Sequence, residues 1–234
     1  MFSEGEATNM EMEGKRSHIV SNETGSFSNH YIYRISKRSA DILISLCALV
    51  FLSPIFLLVW ILDTFSISNR GPVFYRQIRV GYHGKKFGMY KFRSMVVGAE
   101  QKLYKNEKMY KEYVANNYKL EPDNDPRITK LGQFLRKSSI DEIPQFINIL
   151  FGDMSIVGPR PVIEPELSEY SDVNKLLSIK PGAMGLWQAS GRSNIGYPER
   201  ASIEMTYVDD CSFFLDIKII FMNVFNIFRG KGAY

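Results

Sequence analysis

Between Asp41 and Asp63 the chain reads ILISLCALVFLSPIFLLVWIL, 21 residues from Ile42 to Leu62 without a charge. As one straight helix this run would be about 30 Å long, the thickness of a bilayer's hydrocarbon core. A helix on the surface of a soluble domain needs a polar stripe, and this one has none, so the run is predicted to lie in lipid. Ser53-Pro54 falls at its middle. Pro54 has no N–H and its ring crowds the preceding turn, so a kink is expected there. Cations flank both ends: Lys37 and Arg38 before, and Arg70, Arg76, Arg79, Lys85 and Lys86 after. Positive flanks stay on the cytoplasmic side. A helix that enters, bends at Ser53-Pro54 and returns satisfies both observations. A spanning helix with a tolerated proline is the alternative that pattern alone leaves open.

The remainder is of a different character. Residues 1–30 are rich in Ser, Glu, Asn and Gly and have no helical or strand periodicity, which reads as a mobile tail and not as a secretory signal. Overall, 45% hydrophobic and 13% aromatic residues exclude a disordered protein. Two cysteines, Cys47 and Cys211, make neither a disulfide framework nor a zinc pattern. After Arg70 the expected elements are a strand pair, Pro72 to Arg76 and Lys86 to Phe92, joined by a turn at Gly81 to Gly84. A charged helix from Glu100 to Tyr118, a turn-rich loop at 121–127, and helices at Ile128 to Lys137 and about 142–150 follow. In the last segment Phe213, Phe214, Ile217, Ile220, Phe221, Val224, Phe225 and Phe228 recur at helical spacing, with Asp216, Lys218 and Asn223 elsewhere around the axis. That pattern predicts an amphipathic helix lying in the membrane interface, in preference to one capping a core.

A net charge of +4 suits nucleic acid, a phosphorylated substrate or an anionic membrane equally. The basic residues gather after the apolar run, at Arg76, Arg79, Lys85, Lys86, Lys91, Arg93, Arg127, Lys130, Arg136 and Lys137. They read as lipid-facing cations or as a phosphate pocket. The aromatics lack the interleaved stacking pattern of a single-strand binder, so no nucleic acid is expected. Two acidic clusters are candidates for chemistry. Asp123-Asn124-Asp125 could hold a divalent cation, or simply start a turn before Pro126. Asp141 is expected to cap a helix with Pro144 in its first turn, where the helix end would keep it ionised beside a bound phosphoryl group. An ionised Asp in that place is a plausible nucleophile.

The segments 71–95 (GPVFYRQIRVGYHGKKFGMYKFRSM), 124–162 (NDPRITKLGQFLRKSSIDEIPQFINILFGDMSIVGPRPV) and 180–192 (KPGAMGLWQASGR), with the ending around Tyr207, Asp216 and Gly232-Ala233-Tyr234, carry a resemblance. Over about residues 34–234 the chain resembles the bacterial sugar transferases, monotopic polyprenyl-phosphate phosphoglycosyltransferases. The four-helix N-terminal region of larger relatives has no counterpart, so a minimal catalytic form is expected.

The resemblance implies an α+β, mainly helical fold with three parts. These are a flexible tail (1–33), a re-entrant membrane helix hairpin (34–69) turning at Ser53-Pro54, and a cytoplasmic or interfacial catalytic domain (70–234) with amphipathic helices. It makes Asp141-Glu142 the catalytic dyad and the holder of Mg²⁺. It makes Arg136 a phosphate-binding arginine, Gly158-Pro159-Arg160-Pro161 the motif associated with the nucleotide, and Lys91 and Arg93 a basic strand that meets substrate. Glu204 stands where many relatives carry Asp, which leaves its role open. The implied reaction moves a sugar 1-phosphate from a UDP-sugar to undecaprenyl phosphate through an aspartyl intermediate, with release of UMP. It would take place among membrane lipids at the cytoplasmic face of the bacterial inner membrane. A homodimer stays open, as do the sugar and the pathway. Two other readings remain: a metal-dependent glycosyltransferase using Asp123 and Asp125 and releasing UDP, and a non-catalytic membrane anchor with a basic docking domain.

Overall fold

The computed structural model describes residues 31–65, 71–116, 118, 120, 125–191 and 195–228. The tail expected at 1–33 lies outside them except for residues 31–33, which are helical. Residues up to Ala40 form one unit and Asp41–Tyr234 a second; the described part of the first is helical throughout.

The apolar run forms two helices, α1 (Tyr31–Phe51) and α2 (Ser53–Thr64), bent by 52° across the break. The cause is local. Pro54 has no N–H for the Val50 carbonyl four residues back, and the Ser53 hydroxyl donates to that carbonyl instead, at 2.8 Å. Among the described residues no single helix is long and apolar enough to cross a membrane, whereas this bent pair is by length and composition. Leu57, Leu58, Trp60 and Leu62 of α2 are exposed, as are Leu43, Leu46, Val50 and Phe51 of α1.

Strands β1 (Phe74–Val80) and β2 (Lys86–Phe92) pair antiparallel. Their register sets Tyr75 opposite Lys91 and Arg79 opposite Phe87. The single helix expected over Glu100 to Tyr118 is two, α3 (Ala99–Lys105) and α4 (Glu107–Ala115). Asn106 takes an extended conformation that stops α3, and its side chain accepts from the Met109 N–H at 3.1 Å to cap α4. Helix α5 (Lys130–Lys137) starts two residues later than expected because Thr129 caps it through the Gly132 N–H. A side chain at Gly132 would come within 1.8 Å of the Ser94 carbonyl, so glycine allows the helix to lie against the segment after β2.

After a 3-10 turn at Ile140–Glu142 come α6 (Gln145–Phe151) and β3 (Ser155–Val157). A second 3-10 stretch at Glu164–Glu169 and α7 (Val173–Leu176) lead to β4 (Gly182–Met184), parallel to β3. Helices α8 (Leu186–Ser190), α9 (Glu199–Asp210) and α10 (Phe213–Phe228) complete the described chain. The fold is α+β and mostly helical, with two small two-stranded sheets among the described residues.

The central core is Phe87, Met89, Ile149, Met154, Ile156, Val157, Tyr207 and Ile219. A separate cluster of Val59, Phe92 and Leu135, with Ile140 and Ile143 against it, packs α2 onto β2, α5 and the 3-10 turn. On α10 the phenylalanine face is turned outward, as an interfacial helix requires, and the inner face carries Ile219 together with two of the polar residues. Asp216 and Asn223 point inward: Asp216 accepts from the Tyr207 hydroxyl at 2.7 Å, and the Asn223 amide donates to the Gly185 carbonyl at 3.2 Å. Phe213, Phe214, Phe221 and Phe225 face outward, Phe214 being 83% exposed.

Candidate active site

Asp141 sits within the 3-10 turn that joins α5 to α6. Ser139 enters that turn in the left-handed region (φ 56°), which ends the helical course of α5. Asp141 does not cap α6 as expected, because Pro144 holds the capping position. Its carboxyl is instead buried. Burial is the largest influence on it and pushes its pKa up to about 6; Lys91 and Arg136 pull it back down and Glu142 adds to the rise. The expectation that a helix end keeps this carboxylate ionised is therefore corrected in its cause: Asp141 caps no helix, and its ionisation is set by burial against the nearby cations. Desolvation outweighs the nearby cations, and the group titrates just below neutrality.

Glu142 is half-exposed and accepts from the Lys91 ammonium at 2.8 Å, so β2 reaches the dyad through Lys91. Arg136, in the last turn of α5, donates from Nε to the Ser94 hydroxyl at 2.9 Å. The structure thus brings Asp141, Glu142, Lys91 and Arg136 together: one buried carboxyl, one acidic neighbour and two cations.

Arg93 is placed differently. Its Nη2 donates to both oxygens of Asp63 at 2.8 Å, and its Nε to the Pro72 carbonyl at 2.6 Å. Both side chains are buried. The Gly158–Pro161 segment is held by its own partners. Gly158 N–H bonds the Met184 carbonyl, Gly182 N–H bonds the Pro159 carbonyl, and the Pro161 carbonyl accepts from Arg79 at 2.9 Å. The Arg160 guanidinium lies 5.7 Å from the Trp187 ring centre.

Behind that segment lies a buried charge network. Arg79 meets Glu166 at 3.4 Å, Glu166 meets Arg200 at 3.2 Å, and Arg200 meets Glu204 at 3.3 Å. The Tyr170 hydroxyl donates to Glu204 at 2.6 Å, while Arg200 lies between the Trp187 and Tyr197 rings. Burial drives the Glu204 carboxyl above the usual range. Burial also presses on Glu166, but Arg79 and Arg200 outweigh it and hold that carboxyl low. Glu204 is therefore part of a structural network. Its i,i+4 spacing from Arg200 on a helix was the one signal in the sequence that could have revealed it.

The second acidic cluster is only partly described, since Asp123 and Asn124 lie outside the described residues. Asp125 is buried and gives both oxygens to Arg127, at 2.8 and 2.7 Å. Among the described residues no group of three His, Cys, Asp or Glu side chains could hold a metal ion. Asp141 and Glu142 supply adjacent carboxylates. Magnesium typically uses one or two carboxylates and completes its shell with substrate phosphates and water, so these two residues are the ones that would hold such an ion.

A buried carboxyl beside two cations is a chemical set suited to handling a phosphoryl group. The sequence pattern of the bacterial sugar transferases matches residues 32–230, and the chain belongs to that family. The undecaprenyl-phosphate galactose phosphotransferase of Salmonella typhimurium is 42% identical over 205 residues, covering 86% of this chain and 42% of that protein. The exopolysaccharide production protein ExoY of Rhizobium meliloti is 40% identical over 221 residues, covering 92% of this chain and 95% of ExoY. The UDP-glucose:undecaprenyl-phosphate glucose-1-phosphate transferase of Escherichia coli is 38% identical over 212 residues, covering 87% of this chain and 42% of that enzyme.

Proposed function

We propose that this chain transfers a sugar 1-phosphate from a UDP-sugar to undecaprenyl phosphate, with Asp141 as the nucleophile. At the level of class it is a phosphoglycosyltransferase, as its family and its phosphotransferase relatives indicate. The observation that carries the finer reading is the buried Asp141 carboxyl under the influence of Lys91 and Arg136.

A carboxylate oxygen of Asp141 attacks the phosphorus that bears the sugar. The bond from that phosphorus to the bridging oxygen breaks, and UMP leaves with the electron pair. A phosphate oxygen of the lipid then attacks the acyl-phosphate, forms the lipid diphosphate sugar and frees Asp141. Lys91 and Arg136 offset the charge that accumulates on the transferring phosphoryl group, and Lys91 holds Glu142 beside it. Bound magnesium would neutralise diphosphate charge at Asp141 and Glu142. Intact-mass measurement of protein quenched during turnover should show the added sugar phosphate, with UMP in solution. Release of UDP and no adduct would sink the proposal. The UDP-releasing alternative gains no support here, because Asp125 is committed to Arg127.

The raised pKa gives a pH signature. An attacking carboxylate must be ionised, and with a pKa of about 6 the ionised fraction falls roughly tenfold between pH 7 and pH 5. kcat/KM should follow that fall. A profile flat to pH 5 would exclude Asp141 in the buried state described.

The lipid acceptor requires the site to stand at the membrane surface. The bent α1–α2 pair, with its exposed leucines and Trp60, and the outward phenylalanines of α10 support a re-entrant hairpin and an interfacial helix. In this reading the enzyme works at the cytoplasmic face of the inner membrane. Accessibility tags at residues 30 and 75 should both report the cytoplasm, and opposite sides would refute the hairpin.

A further inference from the structure

Asp41 and Asp63, the residues that immediately flank the apolar run, both point into the protein and are 4% and 6% exposed. Asp41, on α1, accepts through Oδ1 from the Ile156 N–H at 2.9 Å and from the Ser155 hydroxyl at 3.1 Å. Those residues belong to β3, which runs directly into Gly158–Pro161. Asp63, in the last turn of α2, takes both its bonds from Arg93 at 2.8 Å. Arg93 follows β2 two residues after Lys91, the partner of Glu142, and precedes Ser94, the partner of Arg136. Each arm of the bent pair is thus fastened by one carboxylate to a segment next to candidate site residues: Asp41 to β3, just before Gly158–Pro161, and Asp63 to Arg93, just after β2.

A hydrophobic anchor needs none of this. Lipid holds an apolar helix without help, and burying a carboxylate against a guanidinium is no efficient source of stability. Two such attachments, one on each arm and each beside a different site segment, make sense if the distance between hairpin and site matters.

Resting on the reaction and hairpin proposed above, we infer that Asp41 and Asp63 are positioning residues that set the height of Asp141 relative to the membrane-embedded acceptor. The lipid phosphate lies at a depth fixed by its headgroup plane. A soluble UDP-sugar adapts to wherever the site stands, but an embedded phosphate does not. Misplacement by about 1 Å can cost on the order of a hundredfold in rate.

The test compares two acceptors with the full chain in phospholipid vesicles: undecaprenyl phosphate embedded in the bilayer, and a short-chain, water-soluble polyprenyl phosphate added from solution. Asp63→Asn should lower kcat/KM about tenfold or more for the embedded acceptor and by less than about threefold for the soluble one. Asp41→Asn should shift the ratio in the same direction. It also keeps an amide oxygen for the Ile156 N–H, so it carries the test if Asp63→Asn fails to fold. Equal losses with both acceptors, as a general structural defect would give, overturn the inference, and so does unchanged use of the embedded acceptor. If the unaltered protein transfers to neither acceptor, the proposed reaction itself fails and takes the inference with it.

Discussion

Asp141→Asn should reduce sugar-phosphate transfer by on the order of 10³-fold or more, the scale on which loss of an attacking group is felt. The amide has nearly the same shape but cannot attack phosphorus, so the adduct mass and the release of UMP should disappear together. Stability should move the other way. With its carboxyl pushed up to about 6 in the folded protein, against 3.8 for the free side chain, Asp141 binds protons more readily folded than unfolded. Stability is therefore lost as pH rises through that window, and the penalty is complete above it. Removing the charge should stabilise the protein at pH 7.5 by on the order of 2–3 kcal/mol, and the gain should vanish below pH 4. Thermal unfolding of the two proteins at both pH values measures this. An Asp141→Asn protein that transfers at a normal rate would remove the nucleophile from the scheme. One that loses activity together with stability at neutral pH would indicate damage to the fold.

The second large effect lies in the buried charge network. Arg200→Met keeps most of the side-chain volume but leaves Glu166 and Glu204 without the guanidinium between them. Removing one member of a buried ionic set costs about 3–5 kcal/mol, because the remaining charge stays desolvated. In a chain of this length that lowers the melting temperature by roughly 10 °C. Combining it with Glu204→Leu should recover a substantial part of the loss, since an apolar pair replaces an uncompensated carboxylate. If Arg200→Met melts like the parent, the network contributes little. If the double variant is no better than the single, the loss comes from the ring contacts with Trp187 and Tyr197 and not from charge.

Several features were legible in the residues because their causes are local. The bend in the apolar run follows from Pro54, which lacks a donor wherever it is placed, and from Ser53 beside it. The hairpin follows from two strand-like runs separated by Gly81 and Gly84, and the face of α10 from the spacing of its phenylalanines. The break between α3 and α4 was legible in principle, since an Asn in a charged helical stretch can cap as readily as it can continue. It was missed because helical composition on both sides hid it.

Other features depend on which groups the fold brings together. Nothing in the spacing of Asp141 says that it is buried, and that alone turns a firmly ionised carboxylate into one that titrates near pH 6. Arg93 reads as one more cation in a basic strand until packing sets it against Asp63, 30 residues away. Glu204 and Glu166 are 38 positions apart in sequence and share Arg200 only in the folded chain. By itself, the sequence determined the apolar run and its bend, the α+β element types and the family to which the chain belongs, because periodicity, proline chemistry and ordered motifs act over short distances. Tertiary structure alone decided the protonation of Asp141, the partner of Arg93 and the inward faces of Asp41, Asp63 and Asp216, because desolvation and ion pairing depend on neighbours that are distant along the chain.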